Sequence, residues 1–136
     1  MSWENDSEGR KKPKIPPMVA LGIERFNQRE YFEAHEALES AWRNAFDPNR
    51  IIYQGILQIG VGFYHLLRGN KPGAIQVLQR GLEALQNAPD RFYDYDLARL
   101  IRETQLLLNK IQRSSDSRLS VVEKESLPSL HQYFRD

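Results

Sequence analysis

One run of this chain leaves little freedom to the rest. Between Pro48 and Gly69 lie Ile51, Ile52, Ile56, Leu57, Ile59, Val61, Phe63, Leu66 and Leu67, with no proline inside the run. On a 3.6-residue period these side chains point to nearly every side, so the segment reads as a helix that other elements must surround. Its ends are marked. Asp47 can accept from the free N–H groups of a first turn, and Pro48 sits where a missing N–H costs nothing. Gly69 readily takes the left-handed conformation that closes a helix. Gly55, Gly60 and Gly62 each cost about 1 kcal/mol in helix propensity relative to alanine, and close approach of a neighbouring helix is the compensation expected. The polar residues left are Gln54, Gln58 and His65. With Gly62 they form a line at steps of four, four and three, expected to be buried and therefore to need hydrogen-bond partners.

Around this centre the sequence predicts four further helices. The first runs from about Met18 to Phe26 behind Pro16-Pro17, with Val19, Ile23 and Phe26 on one stripe. Asn27 and Glu30 have the spacing of a capping pair. The second runs from about Arg29 to Ala45. A fourth follows the turn Asn70-Lys71-Pro72-Gly73 to about Asn87, with Ala74, Ile75, Leu78, Leu82 and Leu85 inward. A fifth, capped by Asp94, runs from Tyr95 to Arg113 with the stripe Leu97, Leu100, Ile101, Thr104, Leu107, Leu108 and Ile111. No alternation of period two lasts. Short connections imply antiparallel neighbours. The expected fold is all-α, a single-domain antiparallel bundle of about five helices in tetratricopeptide-like hairpins, although the repeat consensus is missing. The domain spans 15–113. A polar N-terminal tail, 1–14, is expected to be disordered, with Trp3 free to dock on the body. Residues 114–136 form a C-terminal tail or strap.

Composition narrows the function classes. In 136 residues the formal net charge is +1, so the molecule as a whole has no strong attraction to nucleic acid or to anionic membrane. The basic knot Arg10, Lys11, Lys12 and Lys14 reads as a solvated tail. With no cysteine, disulfides and thiolate chemistry are absent, which suits a reducing cytoplasm. No apolar h-region opens the chain and no run approaches the ~20 residues of a membrane span.

Chemistry concentrates on the second helix, Tyr31-Phe-Glu-Ala-His-Glu-Ala-Leu-Glu-Ser-Ala-Trp-Arg43. Phe32, His35, Glu36, Glu39, Trp42 and Arg43 share one side at helical spacing. Packed on the third helix, His35, Glu36 and Glu39 would face Gln54, Gln58 and His65. Three chemistries fit that arrangement. His35, Glu39 and His65 can ligate a divalent metal. His35 with Glu36 or Glu39 can act as a catalytic acid–base pair. The glutamine amides with Arg43 and Trp42 can hold a small polar ligand. His-Glu-x-x-Glu is not the zincin pattern, because position 39 is glutamate. The plainer alternative is a hydrogen-bonded core network within a protein-interaction module.

The motif from Tyr31 through His35-Glu36, Glu39 and Trp42-Arg43, then Gln54-Gly55, Gln58, Tyr64-His65, Arg68-Gly69-Asn70 and Gly73-Ala74, resembles the domain-of-unknown-function family 309. The resemblance covers about Phe26 to Leu85. It implies a compact all-helical bacterial or plastid domain and a site at His35, Glu36, Glu39, Trp42, Arg43, Gln54 and Gln58, and it implies no established activity. The expectation is a cytoplasmic protein, outside the membrane and able to self-associate, whose partner is a small ligand or another protein.

Overall fold

A computed structural model describes residues 3–5, 8–9, 11–44, 48–115 and 124–133. Five helices dominate: α1 (Pro17–Asn27), α2 (Tyr31–Asn44), α3 (Arg50–Leu67), α4 (Lys71–Ala84) and α5 (Leu97–Arg113). Two short antiparallel ladders accompany them. Strand β1 (Trp3–Asn5) pairs with β2 (Lys11–Pro13) in the polar N-terminal stretch, and Trp3 stays exposed. Strand β3 (Arg91–Phe92) pairs with β4 (Tyr95–Asp96) ahead of α5. Among the described residues no helix is long and apolar enough to cross a membrane.

Consecutive helices run antiparallel, and small residues set how closely they pack. Leu38 of α2 lies over Gly22 of α1, and Tyr31 meets Phe26 edge-on with ring centroids 5.7 Å apart. Tyr31 also meets Phe63 at 5.8 Å, while Arg50 stacks on Trp42 at the opposite end, so α2 and α3 form a hairpin. The α3–α4 pair is the most extensive in the fold. Leu85 covers Gly55, Leu78 covers Gly62, and Gly81 sits against the backbone of Gly55 and Ile59. The glycines expected to admit a neighbour do so at positions 55 and 62. Gly60 instead faces the Phe26 and Tyr31 rings. The core fills the space between the helices, with Val19, Ile23, Leu38, Ile56, Ile59, Phe63, Leu78, Leu97 and Leu100 at or near zero exposure.

Four local expectations give way to the structure. The buried side of α2 is Tyr31, Ala34, Ala37 and Leu38, whereas Phe32 is 64% exposed. Two alanines and one leucine make a narrower seam than Phe32 and Trp42 could, and that seam lets α2 close on Gly22. Asn27 and Glu30 form no capping box. Asn27 ends α1, Arg29 takes a left-handed turn at φ 63°, and Glu30 pairs with Arg25 at 3.1 Å. Helix α5 is capped by Asp96, whose carboxylate accepts from the Arg99 N–H at 3.0 Å, and not by Asp94, because the β3–β4 hairpin occupies the residues before it. Helix α3 is not apolar all round: Ile51 and Tyr64 are exposed, and Gln54, Gln58 and His65 are half-buried along one edge. The cap expected from Asp47 lies outside the described residues, and the Asn49 side chain makes no cap bond. Asn70 does cap α4, accepting from the Gly73 N–H at 3.1 Å.

The described part of the C-terminal stretch lies along the body. Leu127 and Leu130 are buried, the Tyr133 N–H donates to the Asp94 carbonyl at 2.7 Å, and Tyr95 bridges to Gln132.

Candidate functional site

The residues singled out on α2 form a ladder along its surface. His35, Glu39 and Arg43 lie at successive steps of four, which places them one above another on a helix. The Glu39 carboxylate stands in the middle, with one oxygen 3.5 Å from the His35 Nδ1 and the other accepting from the Arg43 guanidinium at 2.5 Å. The side chains are 37%, 31% and 69% exposed, so water competes with each contact and a pair contributes about 0.3–0.5 kcal/mol. Glu36 is exposed beside them. Trp42 and Arg50 form a separate clasp across the α2–α3 turn. The Arg50 guanidinium lies 4.3 Å from the indole centroid, and its Nε donates to the Trp42 carbonyl at 3.1 Å.

The structure does not bring this ladder to His65. Because Tyr31 packs on Phe63 in an antiparallel hairpin, His35 stands level with about residue 59. His65 is then six residues further along α3, roughly 9 Å at 1.5 Å per residue. His65 lies instead beside Asn70, with its Nδ1 3.2 Å from the Asn70 amide nitrogen. Among the described residues no group of three or more histidine and acidic side chains is gathered to hold a metal ion, so the triad of His35, Glu39 and His65 is not assembled.

Gln54 and Gln58 face a different neighbour. They line a cleft of about 740 Å³ between the N-terminal half of α3 and the C-terminal half of α4. Its other polar residues are Asn49, Arg80, Glu83, Gln86 and Asn87, and its apolar surface comes from Pro48, Ile51, Ile52, Ala84, Ala88 and Pro89. The local sequence explains the shape. Gly81 draws α4 onto α3 at Gly55 and Ile59, so the helices touch along their glycines. The longer side chains beside that contact line, Gln54 and Gln58 on α3 and Arg80 and Glu83 on α4, then stand as facing walls. The loop after α4 closes one end. Among the described residues the amides of Gln54 and Gln58 have no hydrogen-bond partner, and Arg80 and Glu83 have no ion-pair partner. Half-buried amides without a protein partner must be served by water or by a bound molecule.

The cleft members on α4 were not singled out in the sequence, because Arg80 and Glu83 look like any solvated helix face. The available signal was Gly81, a helix-interior glycine three residues after an inward leucine, which marks close contact and therefore walls on either side.

With this geometry in view, the comparisons with known proteins show a likeness over part of the helical body. Residues 19–77, from α1 into the first half of α4, match the family model described as Domain of unknown function (DUF309). The resemblance carried by the motif from Tyr31 to Ala74 is upheld. Over 90 residues the chain is 32% identical to the uncharacterized protein YpuF of Bacillus subtilis (strain 168), an alignment covering 64% of this chain and 52% of that relative. The chain thus spans about half the length of this curated relative. The family match includes the α2 ladder and the α3 wall of the cleft, and it stops before Arg80 and Glu83.

Proposed function

We propose that the α3–α4 cleft binds a small zwitterionic molecule, one that carries a carboxylate and an ammonium group. The observation that carries this reading is the set of unpartnered polar groups on its facing walls. Gln54 and Gln58 are half-buried and one helical turn apart, and they stand opposite Arg80 and Glu83. A guanidinium recognises a carboxylate through paired N–H donors. Glu83 supplies the acceptor for an ammonium, and the two carboxamides each offer a donor and an acceptor to the polar remainder. A volume of about 740 Å³ falls in the range of small-molecule sites. Carboxamides hydrogen-bond without exchanging protons near neutral pH, so the arrangement suits recognition more than acid–base catalysis.

Calorimetric titration of amino acids, dicarboxylates and diamines tests the proposal. Saturable binding is expected for an amino-carboxylate, lost in Arg80→Met and weakened in Gln58→Ala, while far-UV circular dichroism stays unchanged. Equal affinity of wild type and Arg80→Met for every binder would overturn it.

The α2 ladder favours a second, narrower role. Glu39 accepts from Arg43 and stands 3.5 Å from the His35 Nδ1, on a half-exposed surface. This proximity supports the acid–base pairing of His35 with Glu39 read from the sequence, without the α3 residues. The ¹⁵N signals of the His35 ring, recorded at one neutral pH with and without Glu39→Gln, test it. Loss of the carboxylate is expected to move the Nδ1 signal, and an unchanged ring spectrum would remove the role.

A further inference from the structure

Residues Leu127–Tyr133 are seated on the body in the manner of a bound peptide. Asn27, at the end of α1, reads both backbone groups of one residue: its Oδ1 accepts from the Leu130 N–H at 2.8 Å and its Nδ2 donates to the Leu130 carbonyl at 3.0 Å. Arg29, held in its left-handed turn, donates to the carbonyls of Lys124, Glu125 and Leu127 at 3.3, 3.2 and 3.0 Å, and to that of Asn27. Beyond Leu130 the segment meets β4 at a single antiparallel bridge. The Asp96 N–H donates to the His131 carbonyl at 2.8 Å, and Tyr95 bridges to Gln132 in antiparallel register. All these bonds go to the main chain, which any extended peptide offers. Side-chain recognition comes from two sockets, three residues apart, in which Leu127 and Leu130 are 3% and 1% exposed, and from the Tyr133 ring, whose centroid lies 5.3 Å from the Arg91 guanidinium.

The groove is also wider than the segment that lies in it. Between the segment and α5 an opening of about 400 Å³ remains, floored by Leu106 and Leu107 and edged by Arg29 and Glu103. Leu106 is 63% exposed, and the chain's own segment leaves it uncovered.

From these contacts we infer that the groove bounded by the α1–α2 turn, α5 and β4 is a docking site for an extended protein segment with leucines three residues apart. The chain's own Leu127–Tyr133 occupies it in cis. A partner segment with the same leucine spacing and one further apolar side chain, placed over Leu106 and Leu107, displaces the cis segment. Main-chain bonds supply the affinity common to both; the tether favours the cis segment, and the added apolar contact is what offsets that advantage for the partner.

The test uses the full chain with a protease recognition sequence placed within residues 116–123. The protein folds with its sockets filled and is then cut. The probe is a fluorescent synthetic peptide of residues 124–133. After cutting, the probe is expected to replace the released fragment saturably, with the helical signal intact. Asn27→Ala should weaken probe binding at least tenfold, and a probe with both leucines changed to alanine should not bind. Three outcomes would overturn the inference: a fragment that never exchanges, a body that unfolds when the fragment leaves, or equal binding of the leucine-free probe. Exchange only between copies of the chain, seen as a dimer that free probe cannot dissociate, would also overturn it.

Discussion

Two glycine-to-alanine substitutions in neighbouring helices should change stability in opposite directions. In a helix interior alanine is favoured over glycine by about 0.8–1.0 kcal/mol. What decides the sign is what the new methyl group meets. At Gly60 its nearest neighbours are the Phe26 ring at 3.4 and 3.6 Å and the Tyr31 ring at 3.6 Å, which is ordinary van der Waals contact. Gly60→Ala should therefore keep most of the propensity gain and stabilise the fold by roughly 0.5–1 kcal/mol. At Gly81 the methyl group lands 3.1 Å from the Gly55 carbonyl oxygen, 3.2 Å from the Ile59 nitrogen and 3.0 Å from the Ile59 Cγ1. Two of these are backbone atoms of α3, which no rotamer change can move. Helix α4 must then retreat by a few tenths of an ångström along its most extensive interface, and overpacking of this kind costs about 1–3 kcal/mol. After the propensity gain, Gly81→Ala should destabilise by roughly 1 kcal/mol, about 3–5 °C in Tm for a domain of this size. Urea denaturation of wild type and both variants, followed at 222 nm, gives the two midpoints. Shifts in the same direction, whichever it is, would refute the argument that glycine packing holds α3 against α4.

Further outcomes follow from single side chains. The Tyr31 hydroxyl is buried with no hydrogen-bond partner among the described residues, so Tyr31→Phe should be neutral or stabilising by about 1 kcal/mol at neutral pH in thermal denaturation. Burial drives the Tyr31 phenol pKa well up, against a smaller opposing pull from Arg29, and burial with the charges of Asp94 and Glu24 raises that of Tyr95. A folded pKa above the unfolded value means the native state holds its proton longer. The stability is therefore fully present below the ordinary phenol value of about 10 and is lost as pH rises beyond it, and Tyr31→Phe should flatten that loss in a pH series of denaturation midpoints. Asp96→Ala removes the cap of α5 and should cost about 1 kcal/mol, with faster amide exchange at Arg99. Arg50→Ala breaks the stack on Trp42 and should cost about 0.5–1 kcal/mol, with a shifted Trp42 indole resonance.

The bundle could be read from the chain because its largest pattern is redundant. The α3 run, the stripe of α5 and the glycines at 55 and 62 all require helices in close contact, and errors at the ends do not change that. The site was harder to read, because an amphipathic helix states its period and leaves its polar face ambiguous. On α2 the large residues Phe32 and Trp42 suggested an inward face. The actual seam uses Ala34, Ala37 and Leu38, since a close partner at Gly22 rewards small side chains over large ones. That one rotation turns His35, Glu36 and Glu39 away from Gln54, Gln58 and His65. The glutamines were expected to be buried with partners of their own; they are half-buried instead, and the groups across the cleft, Arg80 and Glu83, come from a helix whose polar side carries no distinctive pattern. Asn27 was read as a capping partner of Glu30, and Arg29 as the start of the second helix. Their bonds reach residues 124–130, and no local rule foretells a contact 103 positions away.

The cleft between α3 and α4 as a ligand site is the central claim, and the side-chain amide signals of Gln54 and Gln58 test it most directly. In a ¹H–¹⁵N NMR titration with an amino-carboxylate that binds, both NH₂ pairs should shift saturably along one curve, together with the backbone amide of Glu83, and Arg80→Met should abolish the shifts. Saturable binding that leaves both amide pairs unmoved would contradict the account and place the ligand elsewhere on the molecule.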